Sequence, residues 1–274
     1  MKADHAVLAA ILVFGTSVAV WTQTPKPSTA EVLRDARRFA LQARSGSSDI
    51  SGTAMLSKVK EAITADPANS ELHRVLGDME LLSTSGTAAT GTFDVNQLLP
   101  ILQRATAAYE RAAELDPNNA LAISERGLMT VLGSFFKPQP ELAARGLADL
   151  TRAVEMAPTA VVPRLNRAFT TVNLPPAVRT VAHAEEDLKF LTTVSEGSRP
   201  GDMIHLLLAD LYFETGRIDE ARVQYEAARR RPASALREQV ASRLTALEKG
   251  SFPAVDVAAV RGRLASDCLM CHAK

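Results

Sequence analysis

DMIHLLLADLYFETGRIDEARVQYEAARRRP, residues Asp202–Pro232, is the stretch on which the fold turns. It closes on a recurring phrase: alanines at helical spacing, a charged cluster, then proline and a polar turn. Here the phrase is EAARRRPASA (Glu226–Ala235), and earlier copies read EAITADPANSE (Glu61–Glu71), ERAAELDPNNA (Glu110–Ala120) and RAVEMAPTA (Arg152–Ala160). Proline ends each helix because it has no N–H to donate and crowds the preceding turn. The Asn, Thr or Ser that follows can cap the next helix. Alanine is abundant, aromatics are only 5% of the chain, and long alternating β-branched strands are absent. The expected class is all-α, with small residues where helices approach.

The phrase resembles the tetratricopeptide repeat, a helix-turn-helix unit of about 34 residues. In Asp202–Pro232, Leu208 and Ala209 stand at the family's Leu-Gly pair, Tyr212 at its tyrosine and Gly216 at the inter-helix turn. Ala221, Tyr225 and Ala228 take its alanine, aromatic and alanine positions, and Pro232 closes the unit. A second match runs through Leu76-Gly77, Ala105, Tyr109, Ala112 and Pro117, interrupted by a Ser/Thr/Gly-rich insertion, Ser83–Val95, that reads as a mobile loop. Pro67, Pro117, Pro158, Pro200 and Pro232 are separated by 50, 41, 42 and 32 residues, so the repeats are degenerate and carry insertions. The resemblance spans Ala30–Glu248 and implies an α-solenoid of degenerate helix pairs whose concave face holds peptides or protein partners. Ala235–Glu248 reads as a capping helix stopped by Lys249-Gly250. Within the array, truncating Tyr225 to alanine should cost about 3 kcal/mol as a lost buried aromatic.

Beyond the array lie a hinge, Ser251-Phe252-Pro253, and an amphipathic helix, Val255–Leu264, so residues 249–274 form a separate tail. It ends in Cys268-Leu269-Met270-Cys271-His272, which holds the only two cysteines of the 274 residues. C-x-x-C-H is the attachment sequence of a c-type haem: the thiols add to the vinyl groups and the histidine ligates the iron. Positions three apart on a helical turn share a face, so both sulfurs reach one edge of a porphyrin. Cys268, Cys271 and His272 are therefore the candidate cofactor site, with His272 the iron ligand of one covalently attached haem c. A redox disulfide and half of a zinc site are the alternatives that the spacing leaves open.

At the other end, Ala6–Trp21 (AVLAAILVFGTSVAVW) carries no charge, follows Lys2 and precedes TQTPKPST. Residues 1–22 read as an export signal or a retained membrane anchor and 23–29 as a linker. Ser17-Val18-Ala19 offers a small-x-small cleavage site. Either way the chain is expected outside the cytoplasm, in the periplasm, where c-type haem is attached.

Basic and acidic residues balance at 31 each, so no charge excess points to nucleic acid. No H-E-x-x-H, phosphate loop or G-x-S-x-G is present, and no enzyme activity is expected. Small cytochromes c carry the motif near the start of the domain, which excludes that architecture. The position of this motif resembles that in class II cytochromes c, where C-x-x-C-H sits on the final helix; the likeness rests on the motif, its helix and Lys274. The expected function is a monohaem electron-transfer protein whose solenoid docks another redox protein. A non-redox periplasmic scaffold with a Cys268–Cys271 disulfide is the alternative.

Among the other histidines, His73 and His205 stand three residues before their Leu pairs and are expected to point inward as packed, hydrogen-bonded residues. His183 is expected on a solvated surface. Glu185-Glu186 and Asp219-Glu220 read as solvated faces, and Arg229-Arg230-Arg231 as a helix end complementing its dipole or as a docking patch.

Overall fold

The structure is a computed structural model that describes residues 27–45, 51–82, 95–136, 139–174, 180–195, 199–230 and 234–250. Among the described residues there are eleven helices and no strand: α1 (Thr29–Ser45), α2 (Gly52–Ala65), α3 (Ser70–Leu82), α4 (Val95–Leu115), α5 (Ala120–Phe136), α6 (Pro140–Met156), α7 (Val161–Asn173), α8 (Val181–Val194), α9 (Arg199–Glu214), α10 (Ile218–Arg229) and α11 (Ser234–Glu248).

The start of α1 is fixed by a reciprocal cap. The Glu31 backbone N–H donates to Ser28 Oγ, while the Ser28 N–H donates to the Glu31 carboxylate at 2.8 Å. The Asp-Pro turns work as the sequence implies. Asn69 and Asn119 accept from the N–H groups of Leu72 and Ala122 at 3.1 and 3.0 Å, capping α3 and α5. At the third turn Ala160 has no side-chain cap, and Arg164 Nε instead donates to the Pro158 carbonyl at 2.6 Å. Pro232 lies outside the described residues, and Pro200 behaves differently from Pro67, Pro117 and Pro158. It is the second residue of α9, where a missing N–H costs nothing, and ends no helix.

Helices pair α3 with α4, α5 with α6, α7 with α8, and α9 with α10; each pair packs only on its neighbours along the chain. First helices of successive pairs touch one another, α5 on α7 most extensively, while the second helices of successive pairs make no comparable contact. The array therefore curves with α3, α5, α7 and α9 on the inside and opens between the outer helices. α1 and α2 pack on α3 around Val32, Phe39, Met55 and Val59. α11 closes the other end, burying Val240 and Leu247, and stops at Gly250 with φ +63°.

Small residues set the closest approaches. A Cβ on Gly77 would lie 2.5 Å from the Tyr109 ring, so glycine before Asp78 makes room for the aromatic of the paired helix. In α5 and α6 the glycines stand back to back: a Cβ on Gly146 would meet Val131 Cγ2 at 2.5 Å and the Gly127 carbonyl at 2.7 Å. Gly146→Ala is expected to lose about 1–2 kcal/mol, the overpacking outweighing alanine's helix preference. Gly133→Ala, on the same α5 with nothing within 4 Å of the new methyl, is expected to be neutral or slightly stabilising. Urea midpoints of the two variants check the pair; equal midpoints would refute the close-approach account.

The insertion Ser83–Asp94 lies outside the described residues, and Val95 already belongs to α4.

Candidate functional site

Cys268, Cys271 and His272 lie outside the described residues, as do the apolar run Ala6–Trp21, the hinge at Ser251 and the helix expected over Val255–Leu264. What the structure does place is the scaffold that would present them, in which two features stand apart from plain repeat packing.

The first is a polar seam along the inner helices. α7 is buried without interruption from Pro163 to Thr171, and most of α5 is buried too, over 122–125 and 127–132. The seam begins in α3, where Arg74 is held between Glu71 (2.8 Å) and Asp78 (2.7 Å), and Asp78 accepts from Tyr109 Oη at 2.8 Å. It continues through Glu125 and Ser124 of α5 to Asn166 of α7, whose amide donates to Ser124 Oγ at 3.0 Å. It ends at Asp187 of α8, fully buried, which accepts from Arg167 Nε at 2.6 Å and Nη2 at 2.9 Å and from Arg164 Nη1 at 2.7 Å.

Burial, reinforced by the Asp78 charge, pushes the Glu125 carboxyl well above the usual carboxylate range, against the opposing pull of Arg74 and a hydrogen bond with Asn166. The same burial raises the Tyr109 hydroxyl. An acid raised in the folded state contributes stability that is complete below its unfolded value, about 4.5, and is lost as pH rises through the folded value. Glu125→Gln, which keeps the shape without the ionisation, is thus expected to gain on the wild type as pH rises from about 4.5 to about 8. Urea midpoints of both proteins across that range test it, a constant difference being the contrary result.

The second feature is a cleft of about 310 Å³ on the outer side, between α6 and α8. Leu147, Ala148, Thr151, Arg152 and Glu155 of α6 form one wall, Thr180 and His183 the other, and Arg167 and Thr171 of α7 the floor. Arg152 reaches across to donate to the Pro117 carbonyl at 3.0 Å and has no carboxylate partner among the described residues.

The hydrogen bonds expected of His73 and His205 are present, but the burial of the histidines differs from expectation. His73 is half-buried, not packed inward, with Nε2 on the Pro67 carbonyl at 3.0 Å. His205 is also half-buried, with Nδ1 on Gln224 Oε1 at 2.7 Å. Both sit at the edge of the packed face, where a turn or neighbouring side chain offers a partner. His183 is not on an open surface: the outer helices diverge beside it and leave it half-buried in the cleft.

Glu185 is no solvated carboxylate either. Lys189 at 2.6 Å and Arg217 at 2.8 Å hold it, and their hydrogen bonds lower its pKa. Glu186 and Asp219-Glu220 do face solvent, although Glu186 pairs with Arg164. Arg229 closes α10 with an ion pair to Glu226 at 2.7 Å, which fits the helix-end reading of the arginine run.

Sequence alone missed the Arg164–Arg167–Asp187 cluster and the Glu125 seam. The only available signal was charged residues at positions where the helical period calls for apolar ones. Among the described residues no group of three or more His, Cys, Asp or Glu could hold a metal ion, and no helix is long and apolar enough to cross a membrane.

No family model matches the chain, and no curated protein does. Solved structures do resemble it. TTC0263, a thermophilic TPR protein in Thermus thermophilus, superposes with a TM-score of 0.54 at 19% identity, covering 78% of this chain and 99% of that one. The MamA protein (TM-score 0.44, 15% identity, 73% of this chain and 91% of that one) and MamA MSR-1 C2 (0.43, 18%, 77% and 96%) are also similar. The first likeness, together with the helix pairing, shows the tetratricopeptide-type solenoid fold that the repeats imply.

Proposed function

We propose that this chain is an exported monohaem c-type cytochrome: a solenoid that docks a protein partner and carries one covalent haem on its C-terminal tail. The single observation that carries the reading is the intact C-x-x-C-H at Cys268–His272, which contains every cysteine in the chain and follows a capped helical array. Two thiols and an adjacent imidazole are the donor set a c-type haem requires. Cys268 and Cys271 would each add an S–H across a vinyl double bond, and His272 would hold the iron from the proximal side. Bound there, the haem supplies reversible one-electron chemistry.

The residues of this chain then do three things. The tail carries the redox centre beyond the capped end of the array, the solenoid surface brings a redox partner near, and the apolar run Ala6–Trp21 directs the chain across the membrane. The partner is a second cytochrome or a membrane oxidoreductase, and the location is periplasmic, with or without anchoring through the N-terminus.

The test is direct. Protein made alongside a haem-attachment system is expected to carry one haem that survives denaturing gels and gives a pyridine haemochrome spectrum. Cys268→Ala or Cys271→Ala should lower or abolish the covalent haem. A mature mass equal to the bare polypeptide would sink the proposal and leave the second reading, which the solenoid fold favours: a non-redox scaffold in which the cysteines form a disulfide. A five-coordinate ferrous haem that binds CO or NO tightly, with no protein acceptor, would favour gas binding over electron transfer.

A further inference from the structure

The cleft between α6 and α8 is lined by hydrogen-bonding groups that the fold itself leaves unused. We propose that it binds a small organic monocarboxylate, whose charged end is held by Arg152, Thr171, Thr180 and His183 and whose apolar body lies on Leu147 and Ala148. The site belongs wholly to the described array and does not depend on the haem-bearing tail.

Thr171 of α7 is 2% exposed and lines the cleft, yet its hydroxyl has no hydrogen-bond partner among the described residues. An enclosed hydroxyl is ordinarily bonded, as those of Thr130 and Ser134 are to carbonyls of their own helix. Thr180 stands at the N-cap of α8, where a threonine hydroxyl commonly accepts from the first turn, but it makes no such bond. The first turn of α8 therefore keeps uncapped N–H groups beside the cleft, at the end of the helix dipole that attracts anions. The His183 ring is half-buried on the same wall, without a hydrogen-bond partner among the described residues, and a neutral imidazole has one N–H to donate. From the facing wall, Arg152 gives one nitrogen to the Pro117 carbonyl and has no carboxylate partner among the described residues.

Charge and size decide the class of ligand. At the floor, Arg167 shares the buried carboxylate of Asp187 with Arg164, and their second acid, Glu186, is exposed and screened. The floor thus adds to the positive field of Arg152. Glu155, one turn beyond Arg152, is the single acid among the lining residues, and it repels a doubly charged ligand such as phosphate or a dicarboxylate. One carboxylate meets the donors with the least repulsion. A volume of about 310 Å³ takes about ten water-sized groups at about 30 Å³ each, which suits a short organic acid. Leu147 and Ala148, one turn before Arg152, offer its hydrocarbon a place out of water.

Calorimetric titration of the full chain at neutral pH with butyrate, succinate and inorganic phosphate tests this, with circular dichroism to confirm that each variant is folded. Butyrate should bind saturably at one site, and more tightly than either dianion. Arg152→Ala should weaken butyrate about tenfold, the usual worth of a charged hydrogen bond. Arg145→Ala, on the same helix but paired with Glu110, should leave it unchanged. Thr171→Val should weaken butyrate several-fold without lowering the urea midpoint, because the hydroxyl holds nothing in the fold. Glu155→Gln should tighten butyrate and narrow its lead over succinate and phosphate. The inference is overturned by absence of saturable butyrate binding at millimolar concentration, by phosphate or succinate binding as tightly as butyrate, or by equal losses in Arg152→Ala and Arg145→Ala. Weaker binding in Glu155→Gln, or a lower midpoint in Thr171→Val, would also overturn it.

Discussion

Replacing Asp187 with alanine is expected to destabilise the folded chain by about 3–5 kcal/mol, the range for removing one member of a buried ion pair. The carboxylate is 0% exposed and receives three donor nitrogens, two from Arg167 and one from Arg164, all within 2.9 Å. Removing it leaves two guanidinium groups in the protein interior. Glu186 alone would remain nearby, 3.0 Å from Arg164 and 3.8 Å from Arg167, but its side chain is 59% exposed and its charge largely screened by water. Arg164 is further fixed by stacking on Phe190, 4.7 Å from the ring centre, and by the Pro158 carbonyl, so it cannot swing out cheaply. Denaturant unfolding checks the value, and a loss under about 1 kcal/mol would mean that both arginines find water. A volume-matched apolar triple, Asp187→Leu with both arginines changed to Met, should recover much of the loss, because the cost lies in stranded charge and not in absent attraction.

Tyr109→Ala is the second large effect, expected at about 4 kcal/mol, and Tyr225→Ala should follow at about 3. Both rings are fully buried, and both hydroxyls donate to an aspartate of the paired helix: Tyr109 to Asp78 at 2.8 Å and Tyr225 to Asp210 at 2.6 Å. The two sites differ in what backs the ring. Tyr109 lies against Gly77, which has no side chain to move into a vacated space. Tyr225 belongs to the unit in which alanine, Ala209, stands at the position that Gly77 takes in the other. The cost of a large-to-small change grows with the cavity that survives relaxation, so the glycine-backed site should lose more. Unfolding midpoints of the two variants test the order. Tyr225→Ala equal to or worse than Tyr109→Ala would show that the Asp210–Arg243 link to α11, at 3.1 Å, matters more than the cavity.

These parallel sites also show what was legible in the sequence. Leu76-Gly77 with Tyr109, and Leu208-Ala209 with Tyr225, were readable because a small residue on one helix and an aromatic on the next describe a close helix contact directly, even where an insertion stretches the separation from 16 residues to 32. The Asp-Pro turns were readable because proline and asparagine act on their own backbone. The inner seam was not. Glu185-Glu186-Asp187 looks like three solvated acids, yet the third is the most deeply buried carboxylate of the described chain, because α8 turns that face onto α7. Helix α7, VVPRLNRAFTTVN, carries an apolar stripe at Val161, Leu165, Ala168-Phe169 and Val172 and so reads as having a wet side, yet nine successive positions are enclosed, and Arg164, Asn166 and Arg167 on the polar side find partners 20 or more residues away. Periodicity reports a helix with one wet side; it has no signature for a helix with none. The cleft was hidden for a related reason, as it comes from the divergence of α6 and α8 and not from any local pattern.

Packing that runs only between neighbouring pairs makes the array a one-dimensional chain of coupled units, and disturbance in such a chain decays with distance. Opening would then be graded along its length. Backbone amides in α5 and α6, locked by the facing glycines and enclosed by units on both sides, would exchange with solvent last. Those of α1 and α11, each with a neighbour on one side only among the described residues, would fray first and without reference to one another. A load applied at α11 would therefore be absorbed within its own unit and leave the far end of the rod unaware of it.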